Sequence, residues 1–229
     1  MLPFKRKFRL AFLIMAGGLF VHQLLPAETR DASGAGENVR LELTVRVYSL
    51  SEISPWLLSA AETEAAHTLR WIQVNLTWVN CRPPMPAGPC FSPASATDLT
   101  VRIVAKALPQ ANSRVVGMAS GPASSRAVFL FYDRIVALRT FSNILPDILG
   151  RVLAHELLHL LVPAEGHMDT GLMTAQWSSA YLERPNSNRL GLSEHLIKQV
   201  QASVRQRMAA TNKPNAGEST LALVTKRRR

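Results

Sequence analysis

The sequence predicts an α+β domain in which a mixed, twisted sheet is covered by helices. Three observations carry this expectation. Residues 39–48 alternate apolar and polar side chains, the pattern of a strand with one buried face; further period-two stretches follow a helical segment; and two apolar stretches nearer the C-terminus have helical spacing. The resulting order of strand, helix, strands, helix, helix implies a mixed sheet in an α+β or α/β-type domain.

The chain opens with four cations in "KRKFR", an uncharged run from Leu10 to Leu25, then Pro26 and the small Ala27. That order reads as a secretory signal peptide over 1–27, with an uncleaved membrane anchor as the alternative. A spanning helix needs roughly 20 apolar residues, and this run is shorter and contains His22 and Gln23. The small, polar residues 28–37 read as a linker, 38–210 as one domain, and 211–229 as a disordered basic tail. The expected location is secreted or periplasmic, with membrane contact only through the N-terminal segment if it is retained.

Within the domain, Val39, Leu41, Leu43, Val45 and Val47 alternate with Arg40, Glu42, Thr44, Arg46 and Tyr48 in the first strand. Ser54 and Pro55 cap and open a helix with Leu58, Ala61, Ala65, Leu69 and Ile72 on one side. Val74, Leu76 and Trp78 alternate again in a strand leading to Cys81, and Leu99 to Lys106 fits a third. "SRVVGMAS" and "RAVFLFYDR" read as two more strands around the turn-prone "GPASS". Pro146 and Asp147 suit the first turn of a helix reaching about Leu161, where Val162 and Pro163 end it. The last helix starts near Ser193, with Leu196, Ile197, Val200, Val204 and Met208 as its apolar face.

The formal charge of +10 invites a nucleic-acid reading, but its distribution argues against one. Lys5, Arg6, Lys7 and Arg9 belong to the N-terminal segment and Lys226 to Arg229 to the tail, which leaves the body at about +2, with no basic stripe interleaved with aromatics. No nucleic acid is expected as a partner, and the domain is expected to be a monomer. Cys81 and Cys90 bracket the proline-rich "CRPPMPAGPC". Two thiols in an exported chain predict a disulfide, worth roughly 2.5 to 3 kcal/mol for a loop of this size.

The chemistry concentrates in "AHELLHLLVPAEGHMDTGLM", residues 154–173. Residues four apart share a helix face, so His155 and His159 can present ring nitrogens to one ion, with Ile148 and Val152 continuing the stripe. Glu156 stands beside the first histidine, angled toward a water at the metal rather than toward the metal itself. This is the H-E-x-x-H arrangement: two neutral nitrogen ligands, a carboxylate base and an open coordination position. Burying two imidazoles and a carboxylate among leucines without partners would cost several kcal/mol, which disfavours simple core histidines. Glu165, His167 and Asp169 are the candidates for a third ligand; His167 is preferred, with Gly166 expected to swing its side chain back toward the ion. His67 and His195 lie on other helices and read as surface or capping residues.

"HELLHLLVPAEGH" followed by "GLM" resembles the metzincin clan of zinc endopeptidases, whose motif is H-E-x-x-H-x-x-G-x-x-H with a later methionine turn. Val162 stands where that family has a glycine, and the third histidine arrives two residues late. A closer resemblance is to a group of uncharacterised exported bacterial proteins of matrixin-like type, through "VFLFYDR" at 128–134, "AHELLHLL" at 154–161, His167, Gly171 to Met173 and Trp177. The resemblance implies a metzincin-like catalytic domain with an active-site helix and a C-terminal helix. It also implies a Zn²⁺ cofactor on His155, His159 and His167, and a peptide or protein substrate. Glu156 is then the general base, "AVFLFYD" an edge strand that pairs with substrate, and Met173 a hydrophobic floor. Two other readings stay open: an exported, non-catalytic zinc module closed by Glu165 or Asp169, and a gluzincin-like peptidase taking Glu183 or Glu194 as third ligand. Tyr181 is a candidate to assist an oxyanion.

Overall fold

The computed structural model describes residues 39–82, 88–109, 111–112, 115–120, 127–138, 144–177 and 191–212. The segments read as signal and linker, the tail beyond Asn212, Tyr181 and Glu183 lie outside the described residues.

A five-stranded mixed sheet organises the domain, confirming the α+β expectation. Its strands are β1 (Leu41–Leu50), β2 (Val74–Cys81), β3 (Asp98–Val104), β4 (Gly117–Ser120) and β5 (Ala127–Phe131). Their order across the sheet is β2-β1-β3-β5-β4, with β4 alone antiparallel to its neighbour. Four helices complete the described residues: α1 (Pro55–Arg70), α2 (Tyr132–Ala137), α3 (Leu145–Leu161) and α4 (Glu194–Thr211). None of the described helices is long and apolar enough to cross a membrane.

The apolar face of β1 is buried at Leu41, Leu43, Val45 and Val47. Its other face is open to solvent at Glu42 but covered farther along, where simple alternation implies exposure. Arg46 is buried too, donating to the Ser92 and Pro93 carbonyls and pairing with Asp98 at 2.5 Å, so the segment before β3 folds back over it. The Cys81–Cys90 disulfide forms, and Tyr48 donates to the Cys90 carbonyl, fastening the same segment to β1.

Helix α1 is the crossover between the parallel β1 and β2. Ser54 caps it, its hydroxyl oxygen accepting from the Leu57 N–H at 3.1 Å. Against it lies α3, with Gly150 at the closest approach: a Cβ there would stand 2.7 Å from the Ala61 carbonyl oxygen. Helix α3 is buried on nearly every side, which explains a sequence that is apolar all round. Helix α4 is capped by Ser193, whose hydroxyl oxygen accepts from the Leu196 N–H, and runs through Thr211, one residue past the expected end of the domain at 210.

Two expectations are corrected. "YDR" does not extend the fifth strand, because Tyr132–Ala137 turns into α2. "AVFLF" is also not an edge: β5 pairs with β3 on one side and β4 on the other, and Val128, Leu130 and Phe131 are fully buried. A continuous apolar run belongs to an interior strand. The edge is β4.

Candidate metal centre

Helix α3 fixes two histidines of the site as part of its own rigid surface. His155 and His159, four residues apart, bring their Nε2 atoms to 3.1 Å, with ring centroids 4.7 Å apart. His167 arrives from the segment after the helix, its ring 5.3 Å from that of His155 and 5.0 Å from that of His159. One ring nitrogen from each of the three lies within 4.8 Å of the others.

The return of the chain does not depend on Gly166, which has no positive φ. Val162 takes φ −132° and ψ 68°, a conformation open to any residue, and Glu165 N–H donates back to the Val162 carbonyl at 3.0 Å. A second turn follows, in which Met168 N–H donates to the Met173 carbonyl at 2.7 Å. Here Gly171 has φ 84° and lies so close to Gly191 that a Cβ on the latter would stand 2.7 Å from its Cα. A residue with a side chain would be strained at position 171.

That second turn delivers the Leu172 carbonyl to the site. It accepts from His155 Nδ1 at 2.7 Å and from the indole Nε1 of Trp177 at 3.2 Å. With its Nδ1 proton committed there, neutral His155 turns an Nε2 lone pair toward His159. His159 is itself held by a backbone hydrogen bond to Glu165. Burial, with the neighbouring histidines adding to it, lowers the His155 pKa to about 4, and burial likewise lowers that of His159. Both are therefore neutral, as ligands must be.

This donor set fits zinc. Ligands of one tetrahedral Zn²⁺ at 2.0–2.1 Å stand about 3.3 Å apart, close to the separation of the two Nε2 atoms. A ring-nitrogen lone pair is turned toward a neighbouring ring nitrogen in a manner that a cation relieves. Three imidazoles leave a fourth position, and the site opens into a cleft of about 1260 Å³.

Glu156 faces the same cleft and does not join the three nitrogens. Only 5% exposed, its carboxyl is pushed up to about 8 by burial. It lies against Gly117 of the edge strand: a Cβ at that position would stand 2.7 Å from Oε1 and 2.9 Å from Cγ. Gly117 and the Leu172 carbonyl are the parts of the site that sequence reasoning missed. Among the described residues, neither Glu165 nor Asp169 joins the histidine group. Glu194 is exposed on α4 and pairs with Lys198. His67 and His195 are exposed and remote from the group, His67 lying edge-on to Trp71. Met173 is fully buried in the core.

No family model and no curated protein sequence matches the chain. Among solved structures it resembles archaemetzincin from Methanopyrus kandleri, with TM-score 0.48 and 15% identity over 72% of this chain and 96% of that one. It also resembles metalloproteinase-II from Bacteroides fragilis, with TM-score 0.46 and 11% identity over 72% of this chain and 54%, about half, of that one. At such scores neither likeness bears on the chemistry, which rests on the residues of the site.

Proposed function

We propose that the chain is an exported zinc-dependent endopeptidase in which His155, His159 and His167 hold the ion and Glu156 is the general base. The observation that carries this reading is the convergence of three imidazole nitrogens beside a buried carboxylate, at the wall of an open cleft. A zinc ion held there supplies Lewis acidity to a water and to a substrate carbonyl, and its charge lowers the Glu156 pKa into the range of a working base.

Glu156 takes the proton of the attacking water and delivers it to the departing amine. Its carboxylate is placed by two supports: the α3 backbone, which fixes it next to His155, and the bare Gly117, which leaves room for it at the cleft wall. The edge of β4, unpaired among the described residues, offers backbone N–H and C=O groups to an extended peptide, a role expected for the strand that turned out to be β5. Peptides and proteins are the substrates this arrangement fits. Export rests on the N-terminal segment and is supported by the disulfide, which belongs to an oxidising compartment.

The test is Glu156→Gln. One zinc per chain should remain while peptide hydrolysis falls by about 10²-fold or more. Unchanged turnover in this variant removes the proposed base.

A further inference from the structure

The cleft that holds the histidines has a cation in its wall that this mechanism does not use. Arg134, on α2, lines the same cleft as His155, Glu156 and His167. Its Nη1 donates to the carbonyls of Asn112 and Val115, the latter at 2.7 Å, and its guanidinium lies 5.3 Å from the centre of the Phe131 ring. These contacts fix the head group, as its two carbonyl acceptors lie in the segment leading to β4. They use one nitrogen of three. No acid pairs with it among the described residues: Asp133 accepts from the Arg134 backbone N–H and makes no ion pair with the guanidinium. Apart from the histidines and Glu156, Arg134 is the one ionisable side chain in the cleft lining among the described residues; the rest is uncharged, with Asn112, Thr174 and Gln176 beside Val115, Val116 and Leu138.

A fixed guanidinium with donors to spare, the one cation of the lining outside the histidine group among the described residues, matches a carboxylate, which it can meet through two parallel hydrogen bonds. We infer that Arg134 selects substrates carrying a carboxylate, from an acidic side chain of the peptide bound in this cleft. The inference rests on the peptidase reading and deepens it by naming the substrate class. A free peptide C-terminus presents the same group, so the test separates the two sources.

The test compares peptides that differ only in Glu or Gln at one position, scanned on both sides of the scissile bond. Each is made with an amidated and with a free C-terminus. The zinc-loaded wild-type protein is expected to prefer the Glu peptide by about tenfold in kcat/KM at one position, with the C-terminus amidated, and to lose most of that preference at high salt. Arg134→Gln should bring the ratio near one, Arg134→Lys should keep part of it, and Arg134→Glu should bring it below one, in favour of the Gln peptide. The ratio is read within each variant, so loss of folded protein affects both peptides alike.

Binding of the same labelled pairs by fluorescence anisotropy gives a readout independent of turnover. Hydrolysis without Glu/Gln discrimination, or discrimination that survives in Arg134→Gln, overturns the selection while leaving the peptidase standing. A preference seen only with the free C-terminus overturns the side-chain assignment. Arg134-dependent binding without hydrolysis supports the selection and sinks the peptidase. Neither binding nor hydrolysis sinks both.

Discussion

His155 and Trp177 share one acceptor: the Leu172 carbonyl takes a hydrogen bond from the imidazole Nδ1 at 2.7 Å and from the indole Nε1 at 3.2 Å. The two rings also meet edge-on, with centroids 5.6 Å apart. A carbonyl held this way fixes the His155 ring and its tautomer from behind. Trp177→Phe keeps a ring but removes the N–H that steadies the carbonyl. Zinc affinity, measured by competition with a chelator, is expected to fall by about 10-fold or more. Unchanged affinity would reduce Trp177 to cleft lining.

Gly117→Ala sets a methyl group 2.7 Å from Glu156 Oε1 and 2.9 Å from its Cγ, so the whole side chain beyond Cβ has to shift. The fold should hardly notice. Activity is expected to fall by about 10²-fold, as for loss of a positioned base, with zinc content and thermal stability near wild type. Retained activity would show that Glu156 works from a displaced position.

Asp98→Ala leaves Arg46 buried without its anionic partner. Breaking such a pair costs about 3–5 kcal/mol, which urea unfolding can measure. Reducing the Cys81–Cys90 disulfide frees a shorter loop already clipped by Tyr48, and should cost about 2–3 kcal/mol. A smaller loss for Asp98→Ala than for reduction would reverse this order.

Stability of the metal-free protein should depend on pH through buried groups of opposite sign, of which His155 and Glu156 are the most strongly shifted. His155, lowered from 6.5 to about 4, stabilises the fold above 6.5 and loses that contribution as pH falls toward 4. Glu156, raised from 4.5 to about 8, stabilises below 4.5 and loses its contribution as pH rises toward 8. Between 4.5 and 6.5 the two trends offset each other; above 6.5 the carboxylate dominates and stability declines. Glu156→Gln removes that decline, so its advantage over wild type should grow by a few kcal/mol between acid pH and pH 8. Parallel pH curves for the two proteins would contradict the assigned burial.

The elements legible in the sequence were those whose period and caps agree. Ser54 and Ser193 both mark true helix starts, and β1 to β3 lie within two residues of their alternating patterns. The spacing of His155 and His159 is a property of one helix, so it too could be read directly. What could not be read depends on contacts between distant segments. Tyr132 to Val136 suits a strand or a helix equally, and only burial of Ile135 on α2 decides it. The place of β5 inside the sheet depends on β4 pairing back onto it. Arg46 looks like a solvent-facing residue until the segment at 92–98 covers it. At the site, Gly166 is the glycine that local sequence suggests, yet the positive φ falls on Gly171, which packs closely against Gly191. Gly117 carries no signal of its role, because what it accommodates is Glu156 on another element.

The central claim is that three imidazoles from α3 and the segment after it hold one cation. Zinc stoichiometry and affinity of the purified chain, beside those of His167→Ala, test it most directly. The account predicts one zinc per chain, held by the wild type and weakened by about 10²-fold or more in the variant. A wild-type chain that retains no zinc, or a variant that binds it just as tightly, would contradict it.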